Sequence, residues 1–149
     1  MKIKKANPKD HLILTEITKK SKAYWGYSEQ QILKWNDNLT ISEDYIKNNF
    51  TFKLLNDKKI IGYYSYLIKE NVVVKLDNLF VLPEYIGKGF GKYLINDFFN
   101  RIKKGKFEKI TLNSEPNAEK FYQKIGFTKI GELETSIKNR FMPIMELDL

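Results

Sequence analysis

The chain has 149 residues, a formal net charge of +8 and an apolar fraction of 42%, a composition typical of globular proteins rather than disordered ones. Its length predicts one domain, residues 1–149, that can bury a sizeable core. It contains no cysteine, which excludes disulfides, cysteine-based zinc sites and thiol nucleophiles and makes the cytoplasm the expected location.

The charge and hydropathy patterns narrow the expected partners. No apolar run approaches the roughly 20 residues needed to span a bilayer, and the first residues show no signal-peptide pattern. A basic domain favours anionic partners, with simple solvation of the surface by lysines as the alternative. Lysines far outnumber arginines and form no dense block, so a nucleic-acid partner is not expected. A membrane partner is not expected either. The expected oligomeric state is a monomer or a homodimer.

The N-terminal part of the chain predicts a strand followed by helices. Residues 2–6 alternate weakly, as in a short strand. Pro8 begins a helix that runs to about residue 22, with Leu14, Ile17 and Tyr24 on one face. Two further short helices are expected, and each begins after a serine that can cap it, Ser28 and Ser42.

Strand patterns begin at residue 50. Phe50, Phe52 and Leu54 alternate with polar residues, and a turn over NDKK leads into a second strand, IIGYYSYLI. Residues 72–82 form a longer run with continuous apolar content. Such a strand is usually central in its sheet and covered on both faces.

The C-terminal half alternates helices and strands. A helix after the glycine-rich stretch carries one apolar stripe, formed by Leu94, Ile95, Phe98, Phe99 and Ile102. A strand, FEKITLN, and a helix, PNAEKFYQKIGF, come next, and Gly126 ends that helix. Strands over 127–134 and 141–149 close the chain. The strand–helix–strand unit over 72–113 predicts two parallel strands in a mixed α/β fold.

The stretch LFVLPEYIGKGFGKYLI places Gly87, Gly89 and Gly91 where a strand passes into a helix. Amides at a helix start lack internal partners and carry a partial positive charge. Glycine leaves such amides uncovered and permits unusual dihedral angles, so the pattern predicts an anion site, with Lys88 and Lys92 as additional charges. The alternative is a tight turn that needs a single glycine.

Two well-known phosphate motifs do not fit this stretch. A P-loop requires Ser or Thr after Gly-Lys, and here Tyr93 follows Lys92. A dinucleotide fingerprint requires a third glycine at the position that Lys92 occupies.

Three segments together resemble the GNAT superfamily of acetyl-CoA-dependent N-acetyltransferases: LDNLFVLPEYIGKGFGKYLI, the PNAEKFYQKIGF helix, and the closing strands. The resemblance is strong over residues 72–128. It implies a central, mostly antiparallel twisted sheet of six to seven strands with one parallel splayed pair, flanked by about four helices. One position departs from the family pattern, because Ile86 stands where Arg or Gln is usual. Contacts to the diphosphate are therefore expected from backbone amides.

The resemblance implies acetyl-CoA as co-substrate and no metal. Its expected contacts lie on the central strand, the glycine stretch and the later helix: Phe80, Val81, Ile86, Gly87, Lys88, Gly89, Phe90, Gly91, Lys92, Asn117 and Tyr122. For Asn117, capping of the helix is an equal alternative.

Three residues are expected to act in the chemistry. By resemblance, the Leu79 amide hydrogen-bonds the thioester carbonyl, and Tyr122 gives a proton to the leaving thiolate. Tyr122 lies on an apolar helix face, so a purely structural role is the alternative. Asp77 is the only acid within residues 72–82 and is the candidate general base; a salt bridge with Lys75 or another lysine is its alternative role.

The acceptor is expected between the N-terminal helices and the hairpin near residues 135–142. Candidate substrate contacts are Trp25, Tyr27, Asn78 and Arg140, with Trp35 as a further wall. A place in the core is the alternative for the aromatic residues, and solvent exposure is the alternative for Arg140. The one histidine, His11, is expected to be exposed rather than catalytic.

The predicted function is transfer of acetyl from acetyl-CoA to a small amine, such as an amino acid or a polyamine. Without cysteine, direct attack in a ternary complex is favoured over a covalent intermediate. The alternatives are acetylation of a protein or peptide amine and a non-catalytic acyl-CoA-binding module.

Overall fold

A computed structural model describes residues 1–137 and 139–149. These residues form a mixed α/β fold with seven strands. The strands are β1 (Lys2–Lys5), β2 (Phe50–Asn56), β3 (Lys59–Glu70), β4 (Val73–Val81), β5 (Lys109–Asn113), β6 (Thr128–Glu134) and β7 (Phe141–Asp148). The helices are α1 (His11–Tyr24), α2 (Glu29–Lys34), α3 (Asn36–Leu39), α4 (Glu43–Asn48), α5 (Phe90–Ile102) and α6 (Glu119–Ile125).

The strands join into one sheet with the order β1-β2-β3-β4-β5-β7-β6. The pairs β1–β2, β2–β3, β5–β7 and β6–β7 are antiparallel, whereas β4 and β5 are parallel. The predicted fold class is therefore confirmed, and so is the central position of β4. Six helices replace the expected four or so, because the segment after α1 divides into three short helices at Trp35 and Thr40, where the backbone leaves the helical conformation.

Two compact units make up the chain, Met1–Tyr66 with Asn78–Ile102 and Leu67–Asp77 with Lys103–Leu149. The expectation of a single domain stays a prediction. None of the described helices is both long and apolar enough to cross a membrane.

The first unit buries the apolar face of α1. Leu14 and Ile17 are almost completely buried, as expected, but Tyr24 is 52% exposed. Tyr24 has the spacing of this face but is the last residue of α1, and the last turn buries Ser21 and Lys22 instead. The face that meets the sheet thus becomes polar towards the end of the helix.

Helix α5 also belongs to the first unit and buries four of its five predicted stripe residues, Leu94, Ile95, Phe98 and Ile102. Phe99 is only half-buried. The helix ends at Ile102.

The second unit contains the only parallel pairing found in the described residues. Three residue pairs form it, from Val73 with Lys109 to Lys75 with Thr111. Strand β5 then continues through Leu112 and Asn113, which pair with β7. The parallel ladder is therefore much shorter than β4 itself. At the end of α6, Gly126 adopts a φ of 112° and stops the helix, as predicted.

Candidate functional site

The glycine stretch connects β4 to α5 by way of a 3-10 turn, Pro83–Tyr85. Gly87 and Gly89 adopt φ angles of 79° and 87°, which L side chains rarely allow. Gly91 differs, because it lies within the first turn of α5 and is not among the positive-φ residues. Two of the three glycines are thus required by backbone conformation, more than the single glycine of a simple turn.

The space beside these two glycines is open. Within the described residues, a Cβ atom built on Gly87 or Gly89 would meet no atom within 4 Å apart from those of its chain neighbours. The amides at the start of α5 follow immediately, and the first helical hydrogen bond runs from the Tyr93 amide to the Gly89 carbonyl at 3.0 Å. The chain therefore presents an uncovered helix start to the surface, which is the arrangement that favours a phosphate group.

Aromatic and basic side chains surround this loop. The Tyr85 ring packs edge-on against the Phe90 ring, with centroids 5.6 Å apart. The ammonium groups of Lys59 and Lys88 each lie 5.8 Å from the centre of the Tyr85 ring, and Lys92 is exposed. The cofactor contact of Phe90 stays a prediction.

Strand β4 reaches this loop with partly exposed residues. Leu79 and Phe80 are half-buried, whereas Val81 is buried. The Phe80 ring lies 6.0 Å from the Tyr63 ring and 5.9 Å from the Lys22 ammonium. The Ser21 hydroxyl donates to the Val81 carbonyl at 2.7 Å. The last turn of α1 is therefore fastened to the strand that carries Leu79.

Asn78 takes part in a network that sequence reasoning missed. Its amide nitrogen donates to the Tyr45 hydroxyl at 3.1 Å and to the Ser65 hydroxyl at 3.0 Å. The two hydroxyls are themselves 2.8 Å apart. The sequence predicted the strands that carry Ser65 and Asn78, but nothing local to Tyr45 in the sequence connects it to β4.

Asp77 lies beside a lysine on its own strand. Its carboxylate is 3.7 Å from the Lys75 ammonium, and both side chains are about a quarter exposed, at 26% and 24%. This pair is not the only interaction of Asp77. The salt bridge named as the alternative role is thus present, and the role of general base stays a prediction.

Tyr122 lies in the second unit with a buried ring. The ring packs edge-on against Phe121 at 5.1 Å and Phe127 at 5.6 Å. Burial raises the pKa of Tyr122 above its usual value. No hydrogen-bond partner of its hydroxyl is found in the part of the chain that the structure describes. Every fully enclosed side-chain oxygen there has a partner, so this hydroxyl must reach the surface.

Glu115 holds two of the predicted contacts together. One of its carboxylate oxygens accepts from the Asn117 amide at 2.7 Å, and the other accepts from the Arg140 guanidinium at 2.9 Å. The side chains of Arg140 and Glu115 are only 11% and 9% exposed, so the alternative of a solvent-exposed Arg140 is wrong. The capping alternative for Asn117 is also wrong, because Ala118 precedes α6 without a side-chain cap.

The aromatic candidates near the acceptor form two separate edge-on pairs. Trp25 packs against Tyr24 at 4.9 Å, and Tyr27 packs against Trp35 at 5.0 Å. Trp25 remains 38% exposed, so it is not a core residue. His11 is part-exposed, and its Nε2 lies 3.5 Å from the Glu43 carboxylate. Among residues 1–137 and 139–149, no group of three or more histidine or acidic side chains is arranged to hold a metal ion.

Comparison with known proteins gives consistent similarities. The family model described as "Acetyltransferase (GNAT) domain" matches residues 25–149. The [Ribosomal protein bS18]-alanine N-acetyltransferase of Haemophilus influenzae is 33% identical over 94 residues, which are 57% of this chain and 62% of that protein. The chain spans 41 to 62% of the length of the curated relatives it matches.

Solved structures share the fold along almost the whole chain. The PaiA N-acetyltransferase from Thermoplasma acidophilum, in complex with coenzyme A, has a TM-score of 0.82 at 24% identity and covers 99% of this chain and 98% of its own. The ribosomal-protein-S18-alanine N-acetyltransferase from Escherichia coli has a TM-score of 0.74 at 18% identity, covering 99% and 92%. With the family model matched over residues 25–149, the chain belongs to the GNAT acetyltransferase family.

Proposed function

We propose that this protein transfers the acetyl group of acetyl-CoA to the primary amine of a small molecule, by direct attack in a ternary complex. The observation that carries the proposal is the uncovered start of α5. Gly87 and Gly89 hold positive φ angles, and a Cβ atom on either would contact no described residue beyond its chain neighbours within 4 Å. A diphosphate needs such a space and such amides.

The residues from Ile86 to Lys92 would bind the diphosphate through their amides, with Lys88 and Lys92 adding charge. The Leu79 amide would donate to the thioester oxygen while negative charge develops there. One preorganised donor of this kind contributes about 2.7–4 kcal/mol in other enzymes. Phe80 and Val81 would line the pantetheine arm.

Acetyl transfer forms a bond from the amine nitrogen to the carbonyl carbon and breaks the bond from that carbon to sulfur. The leaving thiolate takes a proton, which we assign to the hydroxyl of Tyr122. Burial raises the pKa of this phenol, so it carries its proton at neutral pH. The proton lost by the amine passes to Asp77 or to water.

A second acceptor class has an observation in its favour. The Haemophilus relative, 33% identical over 94 residues, is named for acetylating the alanine of a ribosomal protein. The terminal amine of a polypeptide is therefore the competing acceptor. The third possibility from the sequence, an acyl-CoA-binding module without catalysis, makes a different prediction, because it would bind the thioester and release no thiol.

Two measurements on the purified protein test the proposal. Isothermal titration with acetyl-CoA should show one site, and a thiol-release assay should show turnover with one class in a panel of amino acids, polyamines and short peptides. No heat of binding at millimolar acetyl-CoA contradicts the proposal. Binding without thiol release for any amine supports the binding module, and turnover with peptides alone supports the second acceptor class.

Tyr122→Phe is the residue-level part of the same test. We expect turnover to fall by about a hundredfold to ten-thousandfold, which is the usual contribution of general acid catalysis, while acetyl-CoA affinity stays nearly unchanged. Tyr66→Phe is the matched control, because Tyr66 is also buried and no partner of its hydroxyl is found in the described residues. Equal turnover in wild type and Tyr122→Phe would assign Tyr122 to the core alone.

A further inference from the structure

The network around Asn78 joins three elements of the first unit. Tyr45 comes from α4, Ser65 from β3 and Asn78 from β4. We call these three residues the amide triad. Each pair of the triad is linked by a contact of 2.8 to 3.1 Å, and Ser65 is fully buried. A side-chain amide held at two points in this way has a defined orientation.

The triad uses only one end of the Asn78 amide. Its nitrogen makes both hydrogen bonds, whereas no partner of its oxygen Oδ1 is found in residues 1–137 and 139–149. Asn78 is half-buried, and every fully enclosed side-chain oxygen in this part of the chain has a partner. Oδ1 is therefore an oriented hydrogen-bond acceptor that is accessible from outside, and an acceptor of this kind calls for an N–H or O–H group.

The position of Asn78 indicates which donor it meets. It directly precedes Leu79, whose amide is proposed to hold the thioester oxygen, and it is bonded to α4, one of the N-terminal helices expected to hold the acceptor. We propose that Asn78 Oδ1 accepts a hydrogen bond from the N–H of the acceptor amine that remains in the product. Tyr45 and Ser65 are positioning residues that hold Oδ1 in place. This inference rests on the proposed function.

The arrangement predicts selectivity for primary amines. A neutral primary amine has two N–H groups. One proton leaves during attack, and the other stays on the nitrogen of the amide product. An N-methylated amine has one N–H group, and that proton must leave. It therefore cannot keep a hydrogen bond to Asn78 through the reaction. Once the bound substrate covers Oδ1 and keeps water away from it, a substrate that leaves this hydrogen bond unmade is disfavoured.

The experiment compares the best primary amine of the panel with its N-methyl derivative, using kcat/KM from thiol release. Wild type should prefer the primary amine by about tenfold, the effect of one lost hydrogen bond. Asn78→Ala should abolish this preference by lowering kcat/KM for the primary amine. Asn78→Asp keeps an oxygen acceptor on a side chain of the same shape and should keep most of the preference. If Asn78→Ala does not fold, Asn78→Asp still provides a test of the inference.

The positioning role has its own readout. Tyr45→Phe and Ser65→Ala should each reduce the preference partly, and Tyr45→Phe combined with Asn78→Ala should be no worse than Asn78→Ala alone, because both act through one oxygen. Acetyl-CoA affinity should change by less than about twofold in all variants, since no interaction with the thioester is removed.

Two outcomes separate this inference from the function on which it rests. A folded Asn78→Ala variant with the wild-type ratio of kcat/KM values would overturn the inference and leave acetyl transfer standing. If the wild-type protein releases no thiol with any amine of the panel, both the inference and the proposed function are overturned.

Discussion

At the scale of single residues, the proposed diphosphate site rests on the backbone conformation of Gly87 and Gly89. Ile86, which departs from the usual Arg or Gln, is followed by two glycines with φ angles of 79° and 87°. The departure is therefore compatible with a site that binds through amides. Gly91 contributes differently, since it lies inside α5.

A substitution pair separates strain from ligand contact. Gly87→Ala should lower the free energy of unfolding by about 1–2 kcal/mol, because alanine is strained at positive φ, and should weaken acetyl-CoA binding by at least about tenfold, because the Cβ enters the space proposed for the diphosphate. Urea denaturation and calorimetric titration measure the two effects.

Gly26→Ala is the matched control for Gly87→Ala. Gly26 has a φ of 91° and equally open surroundings, but it lies between α1 and α2. We expect a similar loss of stability and unchanged acetyl-CoA affinity. If both variants weaken binding equally, the effect comes from loss of stability and not from the glycine loop.

At the scale of elements, a second polar network fastens α5 to the sheet. The Tyr64 hydroxyl donates to the Asp97 carboxylate at 2.6 Å. The Arg101 Nε donates to that carboxylate at 2.9 Å and to the Tyr64 oxygen at 3.0 Å. The guanidinium carbon also lies 3.9 Å from the centre of the Phe52 ring. Burial and the bond to Asp97 raise the pKa of Tyr64, so this network is intact at neutral pH.

Tyr64→Phe should lower the free energy of unfolding by about 1–3 kcal/mol, because Asp97 loses a donor in a partly buried setting. Urea denaturation at neutral pH measures this change. Tyr66→Phe is the comparison, since Tyr66 belongs to the same aromatic stack at 6.4 Å from Tyr64 and no partner of its hydroxyl is found in the described residues. Equal losses in the two variants would show that the hydrogen bonds contribute nothing beyond packing.

At the scale of the whole molecule, the fold is shared with solved N-acetyltransferases of low sequence identity. The PaiA comparison has a TM-score of 0.82 but only 24% identity. A similarity of this kind shows the fold and does not indicate the substrate. The class of acceptor amine must therefore be inferred from this chain's own side chains. The amide triad is the clearest set of these.

The number of domains that unfold cooperatively is also a property of the whole molecule. Strands β3 and β4 each contribute residues to both compact units. Each unit therefore contains only part of these two strands. We expect one cooperative thermal transition with equal calorimetric and van't Hoff enthalpies. Two resolved transitions, or a calorimetric enthalpy well above the van't Hoff value, would contradict the single-domain prediction.

Local patterns in the sequence were enough to predict most elements and the family. Apolar periodicity predicted α5 and the strands, Ser28 and Ser42 cap α2 and α4 as expected, and Gly126 ends α6. These features depend on neighbours within a few residues, which is why they can be read from the chain. The glycine spacing and the motifs around it were likewise local, and they led to the confirmed GNAT family.

Contacts between distant residues were decided by the tertiary structure alone. The burial of Arg140 against Glu115, the exposure of Tyr24 and the joining of Tyr45 and Ser65 to Asn78 each depend on elements far apart in the chain. No periodicity encodes which side chain on one strand meets a given helix, because that depends on how the elements pack. The family could therefore be predicted from sequence, whereas the orientation of Asn78, on which acceptor selectivity is proposed to rest, could not.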